Sequence, residues 1–509
     1  MTHRINNKWL RILFIFTLLP IVLKNTAIAN PEKETGQAVA IKENVISLGS
    51  PPKNATIFGV TVDPPKLRHI AYASRQNGKM AVHVDEKKGR AYGDIAKGTP
   101  VFSPGTSRVA YIVYEENKAF AVVDGKEGPL FDGVTDIAFS PDGKRFGFRA
   151  KTGDHQTMVL DGKKEPLFTS VYGTPVFSPD SKHVAYVAAN DDGWFFVLDG
   201  KNHGPFRQVK KPIFSPDSTR FAFAALIGPA WHLITNKTQS KGYENVTAIT
   251  WSPDSSRLVF VGQKDKKLLL VEGNKEHTAY QTIGNPIFSP DSSHLAYPAQ
   301  QGEKRWVMIE DEEEGPRFHQ LGPYLYNNGS TKLAYVGIKK NKPVVVINGK
   351  KQNRYDSVGM PVFSPDGKKL AYRAMKKGKW FVVLGGKKGK EYAEVKRPIF
   401  SPNSSQIAYG ARLNESEKVV MVLNDKESAP FDAIGIPWFS PKGNHFAYTV
   451  LTDSKWTLAV NNTLSETRFD GFIKGVPIVF NSEKKLHGIA MNVEPKIEFF
   501  RIEIEIDKG

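Results

Sequence analysis

The stretch Phe363-Ser-Pro-Asp-Gly-Lys-Lys-Leu-Ala-Tyr372 constrains this chain more than any other feature, because close copies of it recur along nearly the whole length. Phe-Ser-Pro stands at Phe102, Phe139, Phe177, Phe214, Phe288, Phe363, Phe400 and Phe439, and Trp251-Ser-Pro is the same element with a larger ring. Weaker copies at Val62, Tyr326 and Phe480 bring the count to twelve, and from Phe102 to Phe400 every step is 37 or 38 residues. A fixed period of this size means stacked copies of one supersecondary unit, each unable to bury its apolar face alone.

One copy shows what the unit is. Ile399-Phe400 reads as a short strand, Ser401-Pro-Asn-Ser404 as a turn, and Ile407-Ala-Tyr409 as a second strand. Proline presets φ for the turn, and Asp, Asn or Ser side chains bond back to its backbone. In the neighbouring copy Trp380–Leu384 is a third strand, Gly385–Gly389 a tight turn and Glu391–Val395 a fourth. Four short antiparallel strands in about 40 residues make the blade of a β-propeller. The expected class is all-β: tandem β-propellers built from twelve four-stranded blade repeats of about 37 residues.

The Phe/Trp-Ser-Pro-Asp-Gly-Lys turn followed by a small–aromatic pair (Ala185-Tyr186, Ala296-Tyr297, Ala371-Tyr372) resembles the WD40-like, TolB-like propeller repeats of bacterial exported proteins. The resemblance covers roughly residues 57–507. It implies a fold and an exported setting; propellers host binding, scaffolding and catalysis alike.

Rings of roughly four to eight blades are usual, so twelve predict two rings. The expected division is a signal peptide over 1–29, a flexible lead-in with a closing strand over 30–56, and propellers over 57–283 and 284–509, six blades each. The degenerate copy at Tyr324–Thr331 leaves seven plus five as the alternative. Arg4, Lys8 and Arg11, the apolar run Ile12–Leu23 and the Ala27-Ile-Ala29 site read as a secretory signal, with cleavage after Ala29 and a periplasmic or secreted product. The final repeat ends short, so its fourth strand is either Glu503–Asp507 or a strand lent by Val45–Leu48, and the lent strand is the expectation.

No cysteine is present, which excludes disulfides, thiol catalysis and thiolate metal sites. The net charge is +18, and removal of the four cations of residues 1–29 leaves about +14, a field that favours anionic partners. The run Glu310–Glu314 is a local acidic exception. There is no nucleophile elbow, zinc-binding His pair or phosphate loop, and no cofactor or metal is expected. His155, His183, His294 and His445 are scattered over turns, Asn190-Asp-Asp-Gly193 is a fragment of a calcium loop, and Trp194, Trp306, Trp380 and Trp456 open third strands as packing residues.

Lys210, Lys211, Lys396 and Arg397 are placed in blade-to-blade links just before the innermost strand, flanking a channel mouth as an anion site. The expected function is a non-enzymatic exported scaffold that binds a protein or an anionic envelope polymer, without a specific nucleic-acid motif and without integral membrane spans after signal cleavage. The alternative is a propeller hydrolase or lyase acting on a saccharide or lactone at the channel mouth.

Overall fold

The computed structural model describes residues 39–507, and the signal segment lies outside them. Every regular element among the described residues is a strand. The strands form twelve antiparallel blades, numbered here in chain order: 56–92, 94–127, 133–164, 170–206, 208–235, 245–280, 282–314, 320–354, 357–388, 394–427, 433–464 and 471–506. The twelve blades are arranged as a β-propeller, each with its first strand at one edge of the sheet and its last at the other; in blade 5 the last is the third strand, Ala230–Thr235.

The middle strands are short apolar runs because both of their faces are covered. Leu370–Lys376 and Lys379–Leu384 of blade 9 are buried on consecutive residues, as a strand packed on two sides requires. The hairpin from third to fourth strand uses two residues with positive φ, such as Asp161 (52°) and Gly162 (83°). That geometry matches the twist of the flanking strands. Asp161 gains a second use, accepting a hydrogen bond from Phe146 N–H at 2.9 Å and so tying the hairpin to the second strand. The fourth strands are edges, and Pro129, Pro166, Pro316 and Pro430 interrupt them without offering an N–H.

The Ser-Pro-Asp turn joins blades as well as strands. Ser178 Oγ donates to Asp180 Oδ1 (2.6 Å) and accepts from His183 N–H (2.9 Å), which closes the turn on itself. The fourth turn residue then takes positive φ: Gly143, Gly367 and Gly443 in three copies, but Ser181, Ser218, Ser255, Ser292, Ser330 and Ser404 in six others. A serine there is strained. Its hydroxyl explains its presence, because it accepts the N–H of the aspartate in the preceding blade. Asp180 N–H reaches Ser218 Oγ at 2.9 Å, Asp217 reaches Ser255 at 2.9 Å, and Asp254 reaches Ser292 at 3.0 Å.

Apolar cores fill every gap between successive blades. The core between blades 6 and 7 joins Val259 and Leu270 to Ile283, Tyr297 and Val307. The core between blades 12 and 1 joins Ile489 and Phe499 to Ile70 and Tyr72, with the Tyr72 and Phe499 rings 5.2 Å apart. Arg501 donates to Arg68 O (2.9 Å) and His487 Nε2 lies 2.7 Å from Lys66 O across the same gap. These cores set blade 6 against blade 7 and blade 12 against blade 1. The described residues form one compact unit.

The lent strand is Ile41–Ser47. It pairs antiparallel with Glu498–Ile506, from Ile41 opposite Ile506 to Ser47 opposite Phe500, and becomes the outer strand of blade 12. Glu43 anchors it sideways onto blade 11 by accepting from the N–H groups of Glu466 and Thr467 and from Thr467 Oγ1 (2.8 Å). Burial opposes ionisation of Glu43, but these hydrogen bonds outweigh it and hold its carboxyl below the usual range.

Two measurements check this account. Phe400 packs between blades 9 and 10, so Phe400→Ala should cost about 3–5 kcal/mol in denaturant titration; wild-type stability would contradict the packing. The lowered pKa of Glu43 stabilises the fold above the free carboxyl value of about 4.3, and that contribution is lost as pH falls through the folded value. Glu43→Gln should therefore melt below wild type at pH 7, and the gap should shrink as the pH is taken towards 3.

Candidate functional site

The first strand of each blade is interrupted in its middle, and the interruptions together form a collar on the inner edge of the blades. First strands of successive blades touch one another, as in blades 1 and 2, 3 and 4, and 11 and 12, which places this edge towards the axis. Proline causes most of the interruptions: Pro175, Pro212, Pro361, Pro398 and Pro437 stand where a ladder N–H is needed. Blades 3 and 6 lack the proline and bulge instead at Asp136 (φ 60°) and Ala248 (φ 48°).

The residue opening each interruption is matched in size to the second strand behind it. In blades 7, 9 and 11 it is Gly284, Gly359 or Gly435, where an added Cβ would come within 2.5 Å of Pro298, 2.6 Å of Arg373 or 2.2 Å of Thr449. In blades 5 and 10 it is Lys210 or Lys396, and the residue behind is Ala224 or Gly410. A small second-strand residue is what admits a lysine to the collar.

Lys210, Lys211, Lys396 and Arg397 therefore lie inside the split first strand, not in the blade-to-blade links. The first pieces, Gln208–Val209 and Glu394–Val395, begin earlier than the Phe-Ser-Pro pattern suggests. The pairs belong to blades 5 and 10. Lys210 is half-buried; its ammonium bonds to Asn245 Oδ1 and to Val246 O (2.9 Å) of blade 6, 4.3 Å from the Trp231 ring centroid. Loss of solvent pushes its pKa down. Lys396 pairs with Glu394. Lys211 and Arg397 are exposed and make no ion pair among the described residues. Asp136, the carboxylate of the blade 3 bulge, is held by Arg149 at 2.7 Å.

Pattern reading of the repeats missed the apolar part of the collar. Phe58 and Val60 (blade 1), Tyr172 (blade 4), Met360 (blade 9) and Ile436 and Trp438 (blade 11) are exposed in or beside the interruptions, Ile436 to 62 %. Tyr172 stacks on Trp194, with centroids 4.3 Å apart. The signal that could have found them is the residue between Gly and Pro in Gly359-Met-Pro361 and Gly435-Ile-Pro437, an apolar side chain in a segment that cannot pair.

The remaining sequence candidates have local partners. His183 and His294 bind Asp199 (2.7 Å) and Asp311 (2.5 Å), and His445 lies 2.8 Å from the Asn461 amide. Asp192 N–H donates to Asn190 Oδ1 (2.9 Å) within its hairpin. The acidic run forms the third hairpin of blade 7, where Glu312 pairs with Lys275 and burial pushes Glu310 up. A cavity of about 570 Å³ opens there between blades 7 and 8, lined by His294, Glu310, Asp311 and Tyr335, with no collar residue in its wall. No three His, Asp or Glu side chains gather as a metal set among the described residues.

No family model matches the chain, and no curated protein matches it either. Solved structures do. The chain is similar to an oligogalacturonate lyase in complex with manganese (15 % identity, 58 % of this chain and 98 % of that one, TM-score 0.28). It is similar to TolB from Acinetobacter baumannii (12 %, 59 % and 79 %, TM-score 0.23) and to the Dos1 propeller (10 %, 60 % and 94 %, TM-score 0.30).

Proposed function

We propose that this chain is an exported, non-enzymatic binding scaffold whose twelve blades close as one ring and whose axial collar holds a partner. The observation that carries the reading is the concentration of exposed apolar side chains in the collar, on inner strands that would otherwise be expected to show solvent a polar edge. Lys211, Lys396 and Arg397 are exposed beside them and give the surface positive character, with Lys210 half-buried behind. A protein segment with apolar side chains and carboxylates fits this mixture, the apolar groups supplying affinity and the cations register. No helix among the described residues is long and apolar enough to cross a membrane. Export rests on the reading of residues 1–29.

Two experiments test it. Envelope extract passed over immobilised protein should leave a partner on wild type that Met360→Ser/Ile436→Ser/Trp438→Ser fails to hold, while Leu130→Ser/Leu167→Ser on the fourth-strand rim keeps it. Equal capture by both variants, or none by wild type, overturns the collar. Electron microscopy of the purified protein should show a single annulus; paired smaller discs would restore the two propellers of 57–283 and 284–509.

A further inference from the structure

The hairpins between second and third strands all emerge on one face of the blade ring, and a recurring acid neutralises them. Asp132, just before the first strand of blade 3, accepts Gly153 N–H of its own hairpin (2.6 Å) and pairs with Lys118 of blade 2 (2.6 Å). Asp470 does the same between Val493 N–H (2.7 Å) and Lys455, and Asp432 pairs with Lys418 at 2.6 Å. The acid thus clasps neighbouring blades and cancels the cation that opens the preceding third strand.

Over four consecutive blades this neutralisation is missing. The equivalent position holds Gln281, His319 and Ala393, each identified by its N–H bond to the end of the second strand. Asp356 occupies the fourth such position; it accepts Lys377 N–H of its own hairpin (2.8 Å) but makes no ion pair with Lys342 among the described residues. The hairpins of the blades just before these positions, blades 6–9, are rich in cations: Lys264-Asp-Lys-Lys267, Gly302-Glu-Lys-Arg305, Lys339-Lys-Asn-Lys342 and Lys376-Lys-Gly-Lys379. Of their eleven cations only Lys264 has an ion pair, with Glu276 at 3.4 Å. Three hairpins outside the arc carry paired acids, Glu115-Glu116, Asp191-Asp192 and Glu415-Ser-Glu417. One side of the face is strongly positive and the other is not.

We infer that the hairpin arc of blades 6–9 is a docking surface for a planar anionic layer, the headgroups of a phospholipid bilayer. The site is distinct from the collar and does not rest on it. Three of the four hairpins turn through two positive-φ residues (Asp265 and Lys266, Lys340 and Asn341, Lys377 and Gly378), so the charges stand on short, rigid tips. Ten of the eleven cations are lysines, point charges suited to a diffuse anionic layer, and no tip carries an aromatic ring for stacking on bases. A linear polyanion would be expected to find arginine forks or aromatic platforms in a groove, and the tips form neither. The charge asymmetry gives the docked ring a fixed tilt, the arc towards the layer and the acidic hairpins away from it.

The test is co-sedimentation with vesicles of equal parts phosphatidylglycerol and phosphatidylcholine, against pure phosphatidylcholine. Wild type should bind the anionic vesicles at low salt and release them near 0.5 M salt, where charges are screened within about 4 Å. Lys266→Ser/Lys340→Ser/Lys376→Ser/Lys377→Ser should weaken binding by at least about tenfold, since each lysine near such a surface contributes measurably. The control removes Lys126, Lys163, Lys201 and Lys350 from the third-to-fourth strand hairpins, which emerge on the other face, and loses the same net charge. It should bind like wild type, and both variants should melt like wild type and keep collar capture. Equal binding by the two variants, no wild-type binding to anionic vesicles, or tighter arc-dependent binding to DNA than to vesicles would each overturn the inference.

Discussion

A single hydrogen bond from a backbone N–H to a serine in the next blade organises the assembly. The Ser-Pro-Asp turn already satisfies itself, yet its fourth residue sits in a conformation that serine dislikes, and six copies accept the strain. The return is a belt in which the turn of each blade is completed by its neighbour. The aspartates follow from the same geometry: serine hydroxyls and backbone N–H groups hold the Asp180 and Asp217 carboxyls down to about 2. A blade taken alone would leave those donors unmet and both apolar faces wet, so the blade is not an independent folding unit.

Most of the fold could be read from residues alone, because the repeat carries its own turn chemistry and its own alternation of short apolar runs. The twelve blades, the all-β class and the strand lent by the N-terminal segment follow from that reading. The arrangement of blades around the axis does not, since the step past Trp251 to Phe288 is the same length as its neighbours. Blade 12 meets blade 1 through Tyr72 against Phe499, a contact more than four hundred residues apart in sequence that no local pattern announces. The candidate site was legible only in part. Lys210 could be named from its place before Pro212, but Asn245, Val246 and Trp231, which hold it, lie on parts of the chain no local pattern links to it.

Both surfaces take their chemistry from positions at which the repeats differ from one another. A proline that stops ladder pairing lets an apolar residue stand on an inner strand, as at Ile436. The replacement of a clasping aspartate by Gln281, His319 or Ala393 leaves neighbouring lysines without their counter-charge. In a repeat protein the conserved pattern maintains the architecture, and local exceptions are where binding chemistry has room to appear.

The strand Ile41–Ser47 has a bearing on the order of events in the life of the chain. Ribosomes deliver it before any blade exists, yet its partner Glu498–Ile506 follows only after all the other blades. Eleven blades can stack in the order of synthesis through contacts between near neighbours, while the earliest strand stays idle and exposed. Its docking is thus a late step, open only to chains that have reached Glu498–Ile506, and a nascent chain cut short before it would keep an unlatched edge that other proteins could recognise.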